Sequence, residues 1–272
     1  MAGRTLSIRP LRERLIDKAV LRHERAHRIL HPNAFDPAAR GLCALAVMTK
    51  APRAGHVKTR LVPPLTPEEA AQLNRCFLRD TAAAISGAVG KAARGIAVYT
   101  PIGTEPDYIG ILPGDFDLLP QRGQSFGERL INAADDLFGI GFSSVCLIDS
   151  DSPTVPSAAY VDAVKLLRSD GERIVLGPSD DGGYYLVGLK RLQRRIFEQI
   201  EWSSGRVLDQ TIQRAAELKV AVELLPSGYD VDDRMTLRRL CDELRGDNSA
   251  STKDIAPHTR EFLLQLTTDR EL

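Results

Sequence analysis

From residue 42 onward, short apolar runs and longer stretches with helical spacing of apolar residues take turns along the chain. The β-rich runs fall at 42–48, 95–99, 116–119, 144–148, 173–177 and 221–225, with helical patterns at 67–89, 126–138, 156–168, 191–200, 207–218 and 234–245. Strands alternating with helices predict an α/β protein: a mainly parallel sheet with helices on both faces. Because such crossovers are right-handed, a doubly wound open sheet is the simplest architecture, and its ligands belong beyond the carboxyl ends of the strands. Residues 246–254 read as a polar linker, and 257–266 as a last helix docked back on the body.

Residues 1–40 have a different pattern. They hold nine Lys or Arg against four Asp or Glu, and Leu11, Leu15, Ala19 and Ile29 outline a modestly apolar helical face that Pro32 and Pro37 end. The sequence therefore divides into a basic helical extension, 1–40, and a main α/β domain, 41–272. The extension could pack on the body or join two copies as a homodimer. His23, His27 and His31 recur at spacing four and would share one helical face, but no Cys or carboxylate completes a metal set there.

Composition narrows the function. With 36 basic and 36 acidic residues the chain is formally neutral, which argues against a general partner for nucleic acid or anionic membranes. No apolar run approaches the roughly eighteen residues of a membrane span. Cys43, Cys76, Cys146 and Cys241 form no CxxC pair, and the opening residues lack the apolar core of a secretory signal. These features predict a cytoplasmic protein.

Chemistry gathers where strands end. The loop after the first strand carries Lys50, Arg53, Lys58 and Arg60 around Gly55, a set suited to a polyphosphate because the cations neutralise it and glycine admits close backbone approach. The fourth strand delivers Asp149-Ser-Asp151, oxygen donors that would hold Mg²⁺ or Mn²⁺ against phosphates. Asp151 or Ser152 could instead cap the following helix. In 176–188, Asp180 and Asp181 start a turn, Gly182 and Gly183 would let a ligand approach the backbone, and Tyr184 and Tyr185 could stack on a sugar or base; a plain hairpin is the rival. Asp230 and Asp232 precede a helix, where capping and metal ligation compete.

Gly123-Gln-Ser125-Phe-Gly127 fits the nucleophile elbow of serine hydrolases. The only later histidine is His258, beyond the polar linker, so the triad lacks its base. Ser125 with Glu128 three residues on reads instead as a helix-capping box.

Together, residues 46–61, 121–130, Asp149-Ser-Asp-Ser-Pro153, Gly177-Pro-Ser-Asp-Asp-Gly-Gly-Tyr-Tyr-Leu-Val-Gly188 and Trp202-Ser203 resemble the DUF2064 family, over about 42–266. That family lies in the GT-A superfamily of nucleotide-diphospho-sugar transferases, and members are often labelled arsenosugar-biosynthesis glycosyltransferases. The resemblance implies a Rossmann-like GT-A sheet that binds a nucleotide through a divalent metal at Asp151. Asp149 stands where members tend to carry glycine, so its part in the metal site is open. The stretch around Asp232 resembles the late Asp-x-Asp region of the superfamily's nucleotidyltransferases, where an Asp helps to hold metal.

The leading expectation is a metal-dependent, nucleotide-using transferase that moves a sugar from an NDP-sugar to a small acceptor, with Asp180 or Asp181 positioning or deprotonating the acceptor. Nucleotidyl transfer from an NTP with pyrophosphate release is the alternative, favoured by the four cations of the first loop. A non-catalytic nucleotide-binding module is the third reading.

Overall fold

The computed structural model describes residues 26–245 and 255–269. Seven strands form one sheet: β1 (Cys43–Lys50), β2 (Ala93–Thr100), β3 (Asp117–Pro120), β4 (Ser144–Ile148), β5 (Arg173–Pro178), β6 (Tyr184–Leu189) and β7 (Ala221–Leu224). Their order is β3-β2-β1-β4-β6-β5-β7. All neighbours are parallel except β6, which runs antiparallel to both β4 and β5. The expected mainly parallel α/β sheet is present, with one addition: the Tyr184-Tyr-Leu-Val-Gly-Leu run is a buried central strand, the return arm of a hairpin turning through 179–183. Its reversed direction puts the amino end of β6 beside the carboxyl ends of β4 and β5.

Helices α1 (Pro67–Val89) and α3 (Ser157–Arg168) cover one face, while α2 (Phe126–Ile140) and α4 (Val207–Glu217) cover the other. Leu78, Ala82 and Ile85 of α1 pack on the first face, and Leu130, Ala134 and Leu137 of α2 on the second. The opposite side of α1, through Leu73 and Phe77, forms a further core with α5 (Arg234–Arg245) and α6 (Pro257–Asp269). Asp80 of α1 accepts the amides of His258 and Thr259, at 3.0 and 2.8 Å, and so satisfies the open donors at the start of α6. The last helix is docked as the sequence predicts.

Two expectations change. The helical pattern at 191–200 yields only a 3-10 turn, Arg194–Phe197, because Ile196 and Phe197 anchor in the core while no side chain caps the segment. Residues 26–36 are extended and turned rather than helical, and Pro37–Ala39 form one 3-10 turn. Leu30 donates to Leu118 O at 2.7 Å and Leu118 to Arg28 O at 2.8 Å, so this stretch continues the sheet beyond β3. Arg28 bonds Asp117 and Asp36, and Arg94 also reaches Asp36, which fastens the stretch to the domain. His27 Nδ1 lies 3.0 Å from Phe116 O and His31 is exposed, so these two do not share a helical face. His23 and the remainder of the extension, and the linker at 246–254, lie outside the described residues.

Candidate active site

Three loops converge at the carboxyl edge of the sheet. Val231 donates its amide to Asp151 O at 2.9 Å, tying the segment before α5 to the loop after β4. Ser179 donates its N–H to Gly183 O at 3.0 Å and its Oγ–H to Asp230 Oδ1 at 3.1 Å. These bonds place Asp151, Asp181, Asp230 and Asp232 around one cleft of about 580 Å³. A smaller chamber of about 270 Å³ adjoins it, lined by Lys50, Lys58 and Asn74, and the two share Arg60, Ser150, Asp151 and Asp232.

Lys58 sits at their junction in a left-handed backbone conformation, φ 48°. Its side chain is only 4% exposed, and Nζ contacts Asp151 Oδ1 at 2.8 Å, Asp232 Oδ1 at 2.9 Å and Val231 O at 2.8 Å. All three N–H donors are thereby engaged. Burial opposes its charge, but the two carboxylates more than offset that, and its pKa lies above the ordinary lysine value. Lys58 therefore holds the acidic pair together and does not present a free ammonium to phosphate.

The other loop cations divide. Arg53 is turned to Asp107 at 2.6 Å, outside both chambers, and Gly55 lies in the exposed loop at φ +75°. Among the described residues, the side chains of Lys50 and Arg60 take no hydrogen-bond or ion-pair partner, although the Arg60 charge acts on Asp233, and both line the smaller chamber.

The carboxylates divide too. Asp180 pairs with Arg239 at 2.7 Å and accepts from Ser227 Oγ at 3.0 Å; these partners hold its carboxyl below the ordinary range and keep it out of the cleft wall. It is poorly placed for the base role read from the sequence. Asp181 lines the cleft, its Oδ1 accepting the Gly183 amide at 2.8 Å. Asp230, which the sequence left as a helix cap or ligand, also lines the cleft, and burial together with the charges of Asp181 and Asp232 raises its pKa.

Asp149 reaches the cleft wall but is tied down by Ser152 Oγ at 2.7 Å and the Asp151 amide at 3.3 Å. Burial, with the Asp151 charge next, pushes its carboxyl up to about 8, so with no cation beside it the neutral form is favoured. Asp151 and Asp232 do fit a divalent ion. Each turns Oδ1 to Lys58, and among the described residues neither Oδ2 has a partner. No three His, Cys, Asp or Glu side chains among the described residues converge as a ready ligand set, so phosphate and water would have to complete the coordination.

Of the hairpin residues, Gly183 and Tyr184 line the cleft, whereas Gly182 serves packing. Its φ is +87°, and a Cβ there would stand 2.2 Å from Gly205 O. The cleft also contains Phe126 and Trp202, edge to face at 5.1 Å between centroids. The sequence marked Trp202 only through the family motif and Phe126 only as part of the Ser125 motif, since a single aromatic carries no periodic signal. Ser125 is the cap of α2: Oγ accepts from Glu128 N at 3.2 Å, and Glu128 Oε2 accepts from Ser125 N at 3.2 Å.

A mainly parallel sheet with one reversed central strand, and acidic pairs beside cations at its carboxyl edge, defines a GT-A-like nucleotide-sugar transferase fold. A candidate nucleotide-diphospho-sugar transferase from Desulfovibrio desulfuricans G20 superposes with TM-score 0.73 at 26% identity, covering 83% of this chain and 95% of that one. Residues 87–204 match the family described as "Uncharacterized protein conserved in bacteria (DUF2064)", the family that the motifs resemble. More remote are 4-diphosphocytidyl-2C-methyl-D-erythritol synthase from Anaerococcus prevotii DSM 20548 (TM-score 0.48, 12% identity, 73% of this chain and 96% of that one) and glucosyl-3-phosphoglycerate synthase from Mycobacterium tuberculosis, solved with Mn²⁺ and UDP (0.45, 12%, 84% and 79%). At those values neither bears on function. No curated protein matches the chain. No helix among the described residues is long and apolar enough to cross a membrane.

Proposed function

We propose that the protein is a nucleotide-using transferase that moves a sugar from a nucleoside-diphosphate donor to the hydroxyl of a small acceptor. The likeness to the Desulfovibrio protein supports nucleotide-sugar use, and the division of charge between the two chambers supports the direction of chemistry. The observation that carries sugar transfer over nucleotidyl transfer is the state of the first-loop cations. Arg53 is spent on Asp107 and Lys58 on Asp151 and Asp232, which leaves Lys50 and Arg60, a pair matched to a diphosphate rather than a triphosphate.

In this reading Asp151 and Asp232 would hold Mg²⁺ or Mn²⁺, which when bound would neutralise the departing diphosphate. Lys50 and Arg60 add charge to the same phosphates from the protein. The acceptor lies in the larger chamber, where Asp181 or Asp230 takes the proton of its attacking hydroxyl as the oxygen bonds to the sugar carbon. The bonding pair of the broken sugar–phosphate link leaves with the diphosphate. Asp230 is the better base, since its raised pKa lies nearer to neutral than that of an ordinary carboxylate.

A panel of NDP-sugars and NTPs with Mn²⁺, assayed for product phosphates, tests this. Free nucleoside diphosphate is the expected product, and it should fall at least tenfold in Asp230→Asn. Release of pyrophosphate from an NTP would replace the reading with nucleotidyl transfer.

A further inference from the structure

The larger chamber has the size of a small-molecule site, and its lining is lopsided. Apart from Arg60 at the junction, no cation lines it, while Asp181, Asp230, Asp151 and Asp232 all do. Arg206, next to Gly205 of the lining, is engaged with Glu201. Lys58 offsets the charges of Asp151 and Asp232, but among the described residues Asp181 and Asp230 form no ion pair, so a phosphate or carboxylate beside these two would meet like charges, which costs affinity.

The opposite wall is apolar, through Met48, Leu130, Leu147 and Val187, and is completed by the Phe126–Trp202 pair. Phe126 is 50% exposed although it sits at the start of a core helix, so its ring is offered to the cleft rather than to the interior. Gly127 permits this arrangement, because a Cβ there would stand 2.7 Å from Trp202 Nε1. Among the described residues Asp181, also in the lining, keeps Oδ2 free of a hydrogen-bond partner. An apolar ring face opposite open hydrogen-bonding groups suits a molecule with one greasy side and a rim of hydroxyls.

We infer that the larger chamber is a subsite for an uncharged, hydroxyl-bearing ring molecule, held between the Phe126–Trp202 pair and the Asp181 and Asp230 carboxylates, and that it rejects phosphorylated analogues. That this molecule is the acceptor rests on the transfer reading; that the chamber binds it does not. The inference narrows the acceptor to unphosphorylated alcohols, a class the charge balance of the whole chain leaves undetermined.

Trp202 is the only tryptophan of the chain, so its fluorescence reports on this chamber alone. The full-length protein is titrated with phenyl β-D-glucoside and with the 6-phosphate of the same compound, with and without Mg²⁺ and UDP. A saturable change with the glucoside, at least tenfold weaker binding of its phosphate, and at least fivefold loss of glucoside affinity in Phe126→Ala are expected. Asp230→Asn should shrink the preference against phosphate, a readout that a merely structural role would not move. Equal or tighter binding of the phosphate, or no response to either probe, overturns the inference. Glucoside binding without nucleoside diphosphate release would leave the subsite standing and remove the transfer reading. Diphosphate release with no Trp202 response would do the reverse.

Discussion

The Lys58 ammonium lies 2.8 Å from the Asp151 carboxylate and draws Asp232 to the same point at 2.9 Å, so one buried cation joins two segments 81 residues apart in the chain. The pair belongs as much to the architecture of the cleft as to its chemistry. Without it, two carboxylates would face each other across the junction of the chambers, and the loop after β1 would lose its anchor to Val231.

Lys58→Met keeps the aliphatic stem and removes the charge. It should cost on the order of 1–3 kcal/mol, less than a fully buried pair would because both carboxylates are partly open to water. Urea denaturation measures this, and an unchanged midpoint would mean that the three contacts contribute little. The same variant should bind Mn²⁺ alone more tightly than the wild type, since the ammonium no longer competes for Asp151 and Asp232; paramagnetic resonance of free Mn²⁺ reads that directly.

Asp149 provides a pH test. Its folded pKa of about 8 lies above the ordinary value of 3.8, so the native state holds a proton that the unfolded chain has released between those limits. Stability from this group is fully present below about pH 4 and is lost as pH rises through about 8. Asp149 should therefore remove on the order of 3–4 kcal/mol of stability between pH 5 and pH 8, and Asp149→Asn should reduce that slope to what remains from Asp80 and Asp230, whose carboxyls burial also raises. The contributions of Asp36 and Asp180, whose carboxyls are depressed by Arg94 and Arg239, act in the opposite sense and below pH 4, outside the window. Parallel slopes in the two proteins would show that Asp149 is ionised when folded.

The two hairpin glycines should separate packing from ligand approach. Gly182→Ala places a methyl group against Gly205 O in a backbone conformation that favours glycine, and should cost more than about 1 kcal/mol in thermal unfolding. Gly183→Ala meets only the Asp181 carboxylate, at 3.1 Å, and should fold nearly as well while weakening ligands in the larger chamber. Equal stability of the two variants would contradict the distinction.

Much of the fold is legible in the chain because most of its strands are apolar on both faces and two helices, α1 and α2, open with capping boxes. Six of the strand runs and the capping box at Ser125 need no tertiary information. Strand β6 escaped because Asp180 to Tyr185 carries turn residues and aromatics that read equally well as a ligand loop; its pairing with β4 is a long-range fact. The same limit governs the site. Proximity of Asp151 and Asp232 follows from motif spacing only by analogy, and no local pattern reveals that Asp180 turns to Arg239 while Asp230, two residues before Asp232, turns into the cleft. Which cations of the first loop are free depends on Asp107 and Asp232, residues 54 and 174 positions away from their partners.

That division of the cations gives the sharpest contrast within one loop. Arg53 and Arg60 have the same charge and stand seven residues apart, but only Arg60 lines the chambers without a hydrogen-bond or ion-pair partner among the described residues. Arg60→Ala should weaken nucleoside diphosphate binding by roughly 10- to 100-fold, the equivalent of a charge-assisted contact of about 1.5–3 kcal/mol. Lys50→Ala should act in the same direction. Arg53→Ala removes an exposed pair with Asp107 and should leave affinity within about twofold, with at most a small loss of stability. Calorimetric titration of UDP and ADP in the presence of Mg²⁺ compares the three variants. Because a uniformly basic loop would respond alike at all three positions, equal losses in Arg53→Ala and Arg60→Ala would return the loop to the undivided four-cation site, and with it the case for a triphosphate.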